Sequence, residues 1–491
     1  MLFNTVDFII FFIVVLSTIA IIKKRKFQHL FLLAASYFFF YYTSNYLITL
    51  LIFTTLWDFY FGNIIYKTKS IKIKKLIFII SLAGNLGLLG FFKYADFVIT
   101  QFNFLGQTLD LGTQIPLLHL ALPIAISFYT FHSLTYTIGI YRGQIQPVKS
   151  FTEYAIFVAF FPQIVAGPIL RAKEFLPQLR EKMENVELSS RLRQIVIENA
   201  NLKIGITMMT LGFLKKIFFA DNIAPMVNEI FTAPYGLESF TILLGAIAFG
   251  IQVYCDFSGY SDIAIGAALI LGFKIPPNFN KPFFSTSPSE FWRRWHISLS
   301  SWVRDYLFLP IVYRKIGSDF RLIFGLMFTF FLMGLWHGAG WNFIIFGILH
   351  GIYVSVETII RKKIPAFADH EFFKSKIGKI LSILGTQYLI FLAWLAFRIH
   401  DTNDMLYSMQ KFIFLDLQTH SFNEFIFTHK FPIMLMMLFM ALHFISYRKG
   451  NIVLKMSNLS MKYWTLAIFT MVCGMLFFYN SSPEDFIYFQ F

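Results

Sequence analysis

Residues 46–66 read YLITLLIFTTLWDFYFGNIIY, and the fold class turns on what such a run requires. A helix needs about 20 predominantly apolar residues to cross a hydrocarbon core of ~30 Å. Residues 6–22, 76–94, 117–141, 204–220, 322–336 and 463–479 are runs of the same kind. Composition points the same way: 57% of residues are hydrophobic, 14% are charged, 64 are phenylalanine, and the mean hydropathy is +0.62. Soluble domains are about one quarter charged. Every span must satisfy its own backbone polar groups in lipid, which leaves helices or closed barrels, and the ~10-residue alternation of a barrel is absent. The expected fold is all-α, a polytopic helical bundle crossing the bilayer about ten times.

Charge sets the expected orientation. The run at 6–22 has no basic segment before it; Lys23-Lys24-Arg25-Lys26 follow it. That order suits a first span whose N-terminus is outside, rather than a signal peptide. The net charge of +15 is gathered into blocks at 67–75, 171–193, 361–363 and 448–462. With all four blocks in the cytoplasm, the N-terminus and the acidic Pro483-Glu484-Asp485 tail both fall outside. Anionic membrane lipid is a partner for such blocks. No base-reading motif accompanies them, so no nucleic-acid partner is expected. Cys255 and Cys473 sit in apolar runs and read as buried packing thiols. HExxH and paired CxxC patterns are missing, and no metal site is expected.

No linker or low-complexity segment interrupts the chain, so residues 1–491 read as one membrane-embedded domain. Residues 1–110 look like scaffold helices with few polar intruders, 117–400 like the catalytic core, and 430–491 like closing helices. FPQIVAGP (161–168) is too broken for a simple helix and predicts a bent or re-entrant element buried in protein.

Four polar clusters lie in the core region. Asp256 and Asp262, with Ser258 and Ser261, interrupt the apolar run 240–271. They read either as a structural network or as the lining of a substrate path. Ser287-Pro288-Ser289-Glu290 has the residues of a helix start. The helix predicted after it places Phe291, Trp295, Leu299, Trp302 and Tyr306 on one stripe, and His296, Ser300 and Arg304 on a polar row. It is either an interfacial helix or a platform for an anionic substrate, with Arg293 and Arg294 near its start. In GLWHGAGWN (334–342), Gly334 and Gly338 admit a close neighbour around His337, between Trp336 and Trp341. An imidazole with little water to solvate a charge is suited to accept a proton, although a packing role stays open. His350 follows thirteen residues later, on the opposite face if one regular helix holds both, which argues against a two-histidine metal site.

LPIAISFYTFHSLTYTIGIYRG (122–143), FPQIVAGPILR (161–171), CDFSGYSDIAIG (255–266), PNFNKPFFSTSPSEFWRRWHISLSSWVRDYLF (277–308) and GLWHGAGWNFIIFGILHG (334–351) closely resemble the membrane-bound O-acyltransferase family, with a tail FIYFQF also like its alginate-acetylating branch. The resemblance implies broken and re-entrant helices around a central tunnel in a bacterial inner membrane. It implies active-site residues His296 and His337, the latter catalytic. Arg293, Arg294, Arg304, Trp336, Asn342, Asp256, Asp262 and Asn280 are the candidate substrate-binding residues. No permanently bound cofactor is expected; acetyl-CoA, an acyl-CoA, is the donor substrate. An extracytoplasmic partner of the SGNH-hydrolase-like kind and a polysaccharide acceptor complete the expectation. A proton-coupled transporter or flippase, with Asp256, Asp262 and His337 as relay, is the rival reading.

Overall fold

A computed structural model describes all residues except 113, 122, 166, 182–190, 314–318, 369, 417, 481–485 and 488–491. The acidic tail, most of FIYFQF and one residue of the broken 161–168 segment lie outside the described residues. The principal helices are α1 (Val6–Ile21), α2 (Arg25–Ser44), α3 (Ile48–Lys67), α4 (Ile71–Thr108), α5 (Ile126–Tyr141), α6 (Phe151–Ala159), α7 (Asn199–Phe213), α8 (Asp221–Thr232), α9 (Ser239–Ile270), α10 (Pro288–Arg294), α11 (Ile297–Val303), α12 (Asp319–His337), α13 (Trp341–Lys363), α14 (Lys376–Arg398), α15 (Lys430–Lys449) and α16 (Met461–Phe477). Among the described residues, seven helical stretches are long and apolar enough to cross a membrane, and three shorter apolar helices join them. Large apolar side chains such as Ile10, Ile13, Leu466 and Phe469 are exposed, which is what a lipid-facing surface demands and water would penalise. The chain is a multi-pass, all-α membrane protein.

It divides into two compact units, Met1–Met209 with Tyr260–Pro276, and Thr210–Gly259 with Pro277–Phe491. Two of the divisions fall inside α7 and α9, and the third in the segment between α9 and α10.

In the first unit, α3, α4 and α5 enclose Asp58, which is fully buried. Its carboxylate accepts hydrogen bonds from Ser81 Oγ at 2.9 Å, Asn85 Nδ2 at 2.9 Å and Thr137 Oγ1 at 3.2 Å. The expectation of plain scaffold helices missed this network, because single polar residues spread over three helices make no local cluster. The broken segment is as expected. α6 stops at Ala159, one further turn spans Phe161–Ile164, and Phe160, Phe161, Gln163 and Ile164 are all buried. Gln163 Nε2 donates to the carbonyl of Phe157 at 2.9 Å, supplying part of what the break removes.

In the second unit, α12 and α13 form a hairpin that crosses at glycine. A Cβ on Gly334 would run into the carbonyl oxygen of Phe343, and one on Gly347 into that of Phe330. The close approach at Gly334 follows the sequence expectation. Gly338 instead makes room for the Phe343 ring. The unbroken span expected at 204–220 ends in a π-helical turn, Leu214–Ala220, a form that recurs at functional sites. It carries Lys216, buried between Asp221 at 2.8 Å and Asp256 at 3.0 Å. Cys255 is buried, but Cys473 is exposed on α16; an apolar neighbourhood on a lipid-facing helix does not bury a side chain.

Candidate active site

The site grows from α10. Ser287 caps this helix by accepting from Glu290 N at 3.2 Å, with Pro288 in its first turn. Glu290 reaches back to Thr286, accepting from its backbone N at 2.8 Å and its hydroxyl at 2.7 Å. Arg294 closes the turn on Glu290 at 2.7 Å. Burial raises the Glu290 carboxyl, but the Thr286 and Arg294 hydrogen bonds outweigh it and hold the group below its ordinary value.

The single helix expected to follow is broken. α10 ends at Arg294 and α11 begins at Ile297, and His296 between them takes a left-handed backbone with φ 42° and ψ 53°. For a residue with a Cβ this costs about 1–2 kcal/mol, and such strain persists only where neighbours enforce it. The enforcing segment is 278–280. Ile297 N donates to the carbonyl of Asn278 at 2.9 Å, and Ser298 Oγ to its side chain at 2.6 Å. Asn280 N donates to the carbonyl of Arg294 at 2.9 Å. The break turns the His296 imidazole inward, 0% exposed, with Phe257 edge-on at 4.6 Å between ring centres. Burial pushes this imidazole down to about 3, so it is neutral at physiological pH. Phe291, Trp295, Leu299 and Trp302 are buried in protein rather than spread at an interface. The polar row from His296 to Arg304 does not survive the break.

His337 is the last residue of α12 and is 6% exposed. The helix ends there because Gly338-Ala339-Gly340 turns the chain into α13. Phe397 lies edge-on at 5.0 Å and Phe346 at 5.6 Å. Trp336 touches both histidines: its ring centre is 4.8 Å from that of His337 and 6.1 Å from that of His296. Two histidines 41 positions apart in the chain therefore share one indole.

The remaining candidates divide sharply. Asn342 is buried and donates to the carbonyl of Ala396 at 3.2 Å, tying α13 to α14 beside Phe397. Asp256 is held by Lys216 and by Ile487 N at 2.8 Å, a structural network rather than a free lining. Asp262 belongs to the first unit and is half-buried. Asn280 is exposed and acts through its backbone. Arg304 is exposed and paired with Asp305 at 2.8 Å. Arg293 is exposed and forms no ion pair among the described residues. His337 and His350 lie on different helices, so the face argument made from one regular helix does not apply. His350 accepts the indole N–H of Trp292 at Nδ1, at 3.2 Å. Among the described residues, no three His, Cys, Asp or Glu side chains gather as a metal site requires. Sequence reasoning missed Asn278, whose clamp on Ser298 has no local signature, and Phe257 and Phe397, which look like ordinary core.

Two buried histidines at helix breaks, walled by aromatic rings, thus lie together in the second unit of a polytopic helical chain. The model of the membrane-bound O-acyltransferase family matches residues 141–396, a stretch that holds both histidines. The chain belongs to this family. It is 40% identical over 277 residues to a probable alginate O-acetylase of Azotobacter vinelandii, covering 56% of this chain and 52% of that one. It is 34% identical over 375 residues to a peptidoglycan O-acetyltransferase of Helicobacter pylori, covering 72% and 67%. A teichoic acid D-alanyltransferase of Streptococcus thermophilus is 31% identical over 297 residues, covering 56% and 68%. The chain thus spans about half the length of the alginate O-acetylase it matches.

Proposed function

We propose that this protein is an O-acetyltransferase of a bacterial inner membrane. It moves an acetyl group from cytoplasmic acetyl-CoA through the membrane, for O-acetylation of an extracytoplasmic polysaccharide, alginate-like or peptidoglycan. A separate acyl-accepting protein outside, of the SGNH-hydrolase-like kind, carries the group onward. The N-terminus and C-terminus face outward in this reading, as the basic blocks require.

The observation that carries the proposal is the Trp336 indole in contact with both His296 and His337. His337 takes the proton of the acceptor hydroxyl as its oxygen attacks the thioester carbonyl carbon. The tetrahedral intermediate then collapses, the carbon–sulfur bond breaks, and the thiolate leaves with the proton from His337. His296, neutral and fixed by its left-handed backbone, orients the reacting groups and stabilises charge on the carbonyl oxygen. Base catalysis of this kind contributes roughly 10²–10⁴-fold, and positioning supplies more. Arg293 stands ready for an outer phosphate of the donor. The family resemblance and the named relatives support acetyl transfer. The Lys216 ion pair and the Ile487 N–H on Asp256 support a structural role for that carboxylate over a relay.

The test is turnover of radiolabelled acetyl-CoA by the purified protein in liposomes, with candidate partners added. Wild type is expected to consume donor, and His337→Ala to abolish consumption in a folded protein. Equal turnover by wild type and His337→Ala refutes the assigned base. No consumption by any form, with partners present, refutes acetyl transfer.

A further inference from the structure

Arg293, Arg294 and Arg304 are the arginines the sequence offers to an anionic substrate, yet Arg294 pairs with Glu290 and Arg304 with Asp305. Positive charge collects elsewhere in the same unit. Lys281 is half-buried, forms no ion pair among the described residues, and has a left-handed backbone with φ 51° just before Pro282. Proline disfavours helical backbone in the residue before it, and a Cβ disfavours the left-handed form, so this lysine is held in a costly geometry. Burial lowers its ammonium below the ordinary range, and the neighbouring Arg294 guanidinium lowers it further. An anion would relieve both effects.

Three residues on, Phe284 stacks on His443 of α15 at 5.4 Å with the planes 14° apart. His443 is 6% exposed, and its Nε2 has no hydrogen-bond partner among the described residues. Tyr254 closes on the same imidazole at 5.1 Å, and Lys215 Nζ lies over the Tyr254 ring at 5.7 Å. Lys281 opens the turn that carries Phe284, its carbonyl accepting from Phe284 N at 3.3 Å. Lys281 and Lys215 thus stand on the two aromatic residues that flank this buried imidazole, an arrangement that a phosphate satisfies by accepting several charge-assisted hydrogen bonds.

Aromatic rings lead from this place to the reacting histidines. Tyr254 touches Phe279 at 5.5 Å, Phe279 touches Phe257 at 5.1 Å, and Phe257 touches His296 at 4.6 Å. From these contacts we infer that Lys281, Lys215 and His443 form a phosphate-binding subsite for the phosphopantetheine end of the acyl donor. The inference rests on the acyl-transfer reading: the phosphate sits at the lysines, and the flexible arm follows the rings to bring the thioester to His296 and His337.

The test uses the full chain in phosphatidylcholine nanodiscs, with acetyl-CoA and the phosphate-free acetyl-pantetheine as paired donors. Lys281→Gln is expected to raise KM for acetyl-CoA about tenfold, the loss of one charge-assisted hydrogen bond, and to leave KM for acetyl-pantetheine in place. Lys215→Gln should act in the same direction, and Lys281→Arg should restore the preference for the phosphorylated donor. An equal KM change for both donors, or none for either, overturns the subsite while acyl transfer stands. If phosphatidylglycerol in the nanodisc raises the wild-type KM for acetyl-CoA to the Lys281→Gln value, the site holds a lipid phosphate and the donor assignment falls. Failure of the wild type to consume either donor removes the acyl-transfer reading itself.

Discussion

In the first unit, Asp58 is fully buried and its carboxylate accepts from Ser81, Asn85 and Thr137. In the second, His296 and His337 are buried almost as deeply, and rings wall them: Phe257, Trp336, Phe346 and Phe397. The first arrangement surrounds a charge with neutral donors from three helices and needs no special backbone. The second holds an imidazole in left-handed backbone and stops another at a helix end. The buried carboxylate is met by neutral donors, whereas the two imidazoles are walled by rings, and only His296 sits on strained backbone.

Substitutions can break this comparison, and the largest effect belongs to His337. His337→Ala should lower acetyl-CoA turnover by about 10³-fold or more while the melting temperature stays near wild type. A fall of under tenfold would place His337 with the structural group. His296→Asn, which tolerates left-handed backbone and keeps a polar side chain, should lose about 10²-fold in turnover with little loss of stability. His296→Val should lose as much activity and also about 1–2 kcal/mol of stability relative to His296→Asn, measured by thermal unfolding in detergent. Equal stability of these two variants would show that the break at His296 carries no strain.

The scaffold network should respond in the opposite sense. Asp58→Ala leaves three buried donors without their acceptor and should cost about 1–3 kcal/mol, while turnover per folded molecule stays at the wild-type value. A selective loss of turnover would move Asp58 into the functional group. Asn278→Ala lies between: it removes the clamp on Ser298 and should lower turnover about tenfold through misplacement of His296, with a stability loss of about 1 kcal/mol.

The smallest effect is on pH dependence. Folded His296 titrates at about 3 because burial disfavours its charge, well below the unfolded value of 6.5. Its contribution to stability is therefore complete above 6.5 and declines as pH falls toward 3, since only the unfolded chain takes up the proton. Relative to His296→Asn, wild type should lose about 1 kcal/mol per pH unit between pH 6 and 5. Parallel stability curves for the two proteins would refute a neutral buried His296.

Much of this protein was legible along the chain. Apolar runs long enough to span a bilayer, the Ser287–Glu290 helix start, the break at 161–168 and the glycine ahead of His337 are local signals. Each depends on hydropathy or backbone geometry over a few residues, and each appears in the structure. The helix drawn through Trp295 and His296 was wrong because Asn278 and Asn280, from outside that segment, supply hydrogen bonds that make the left-handed turn affordable. Asp256 pairs with Lys216 and accepts from Ile487 N, and Arg294 pairs with Glu290, contacts that no local pattern announces. The sequence by itself determined that the chain is a helical membrane protein of this family and where its two histidine motifs lie, because bilayer crossing and motif spacing are properties of short stretches. Only the tertiary structure decided which polar side chains pair with one another. Hydrogen bonds and ion pairs form between residues far apart in the chain, and a side chain's capacity to bind is what remains after those partners are counted.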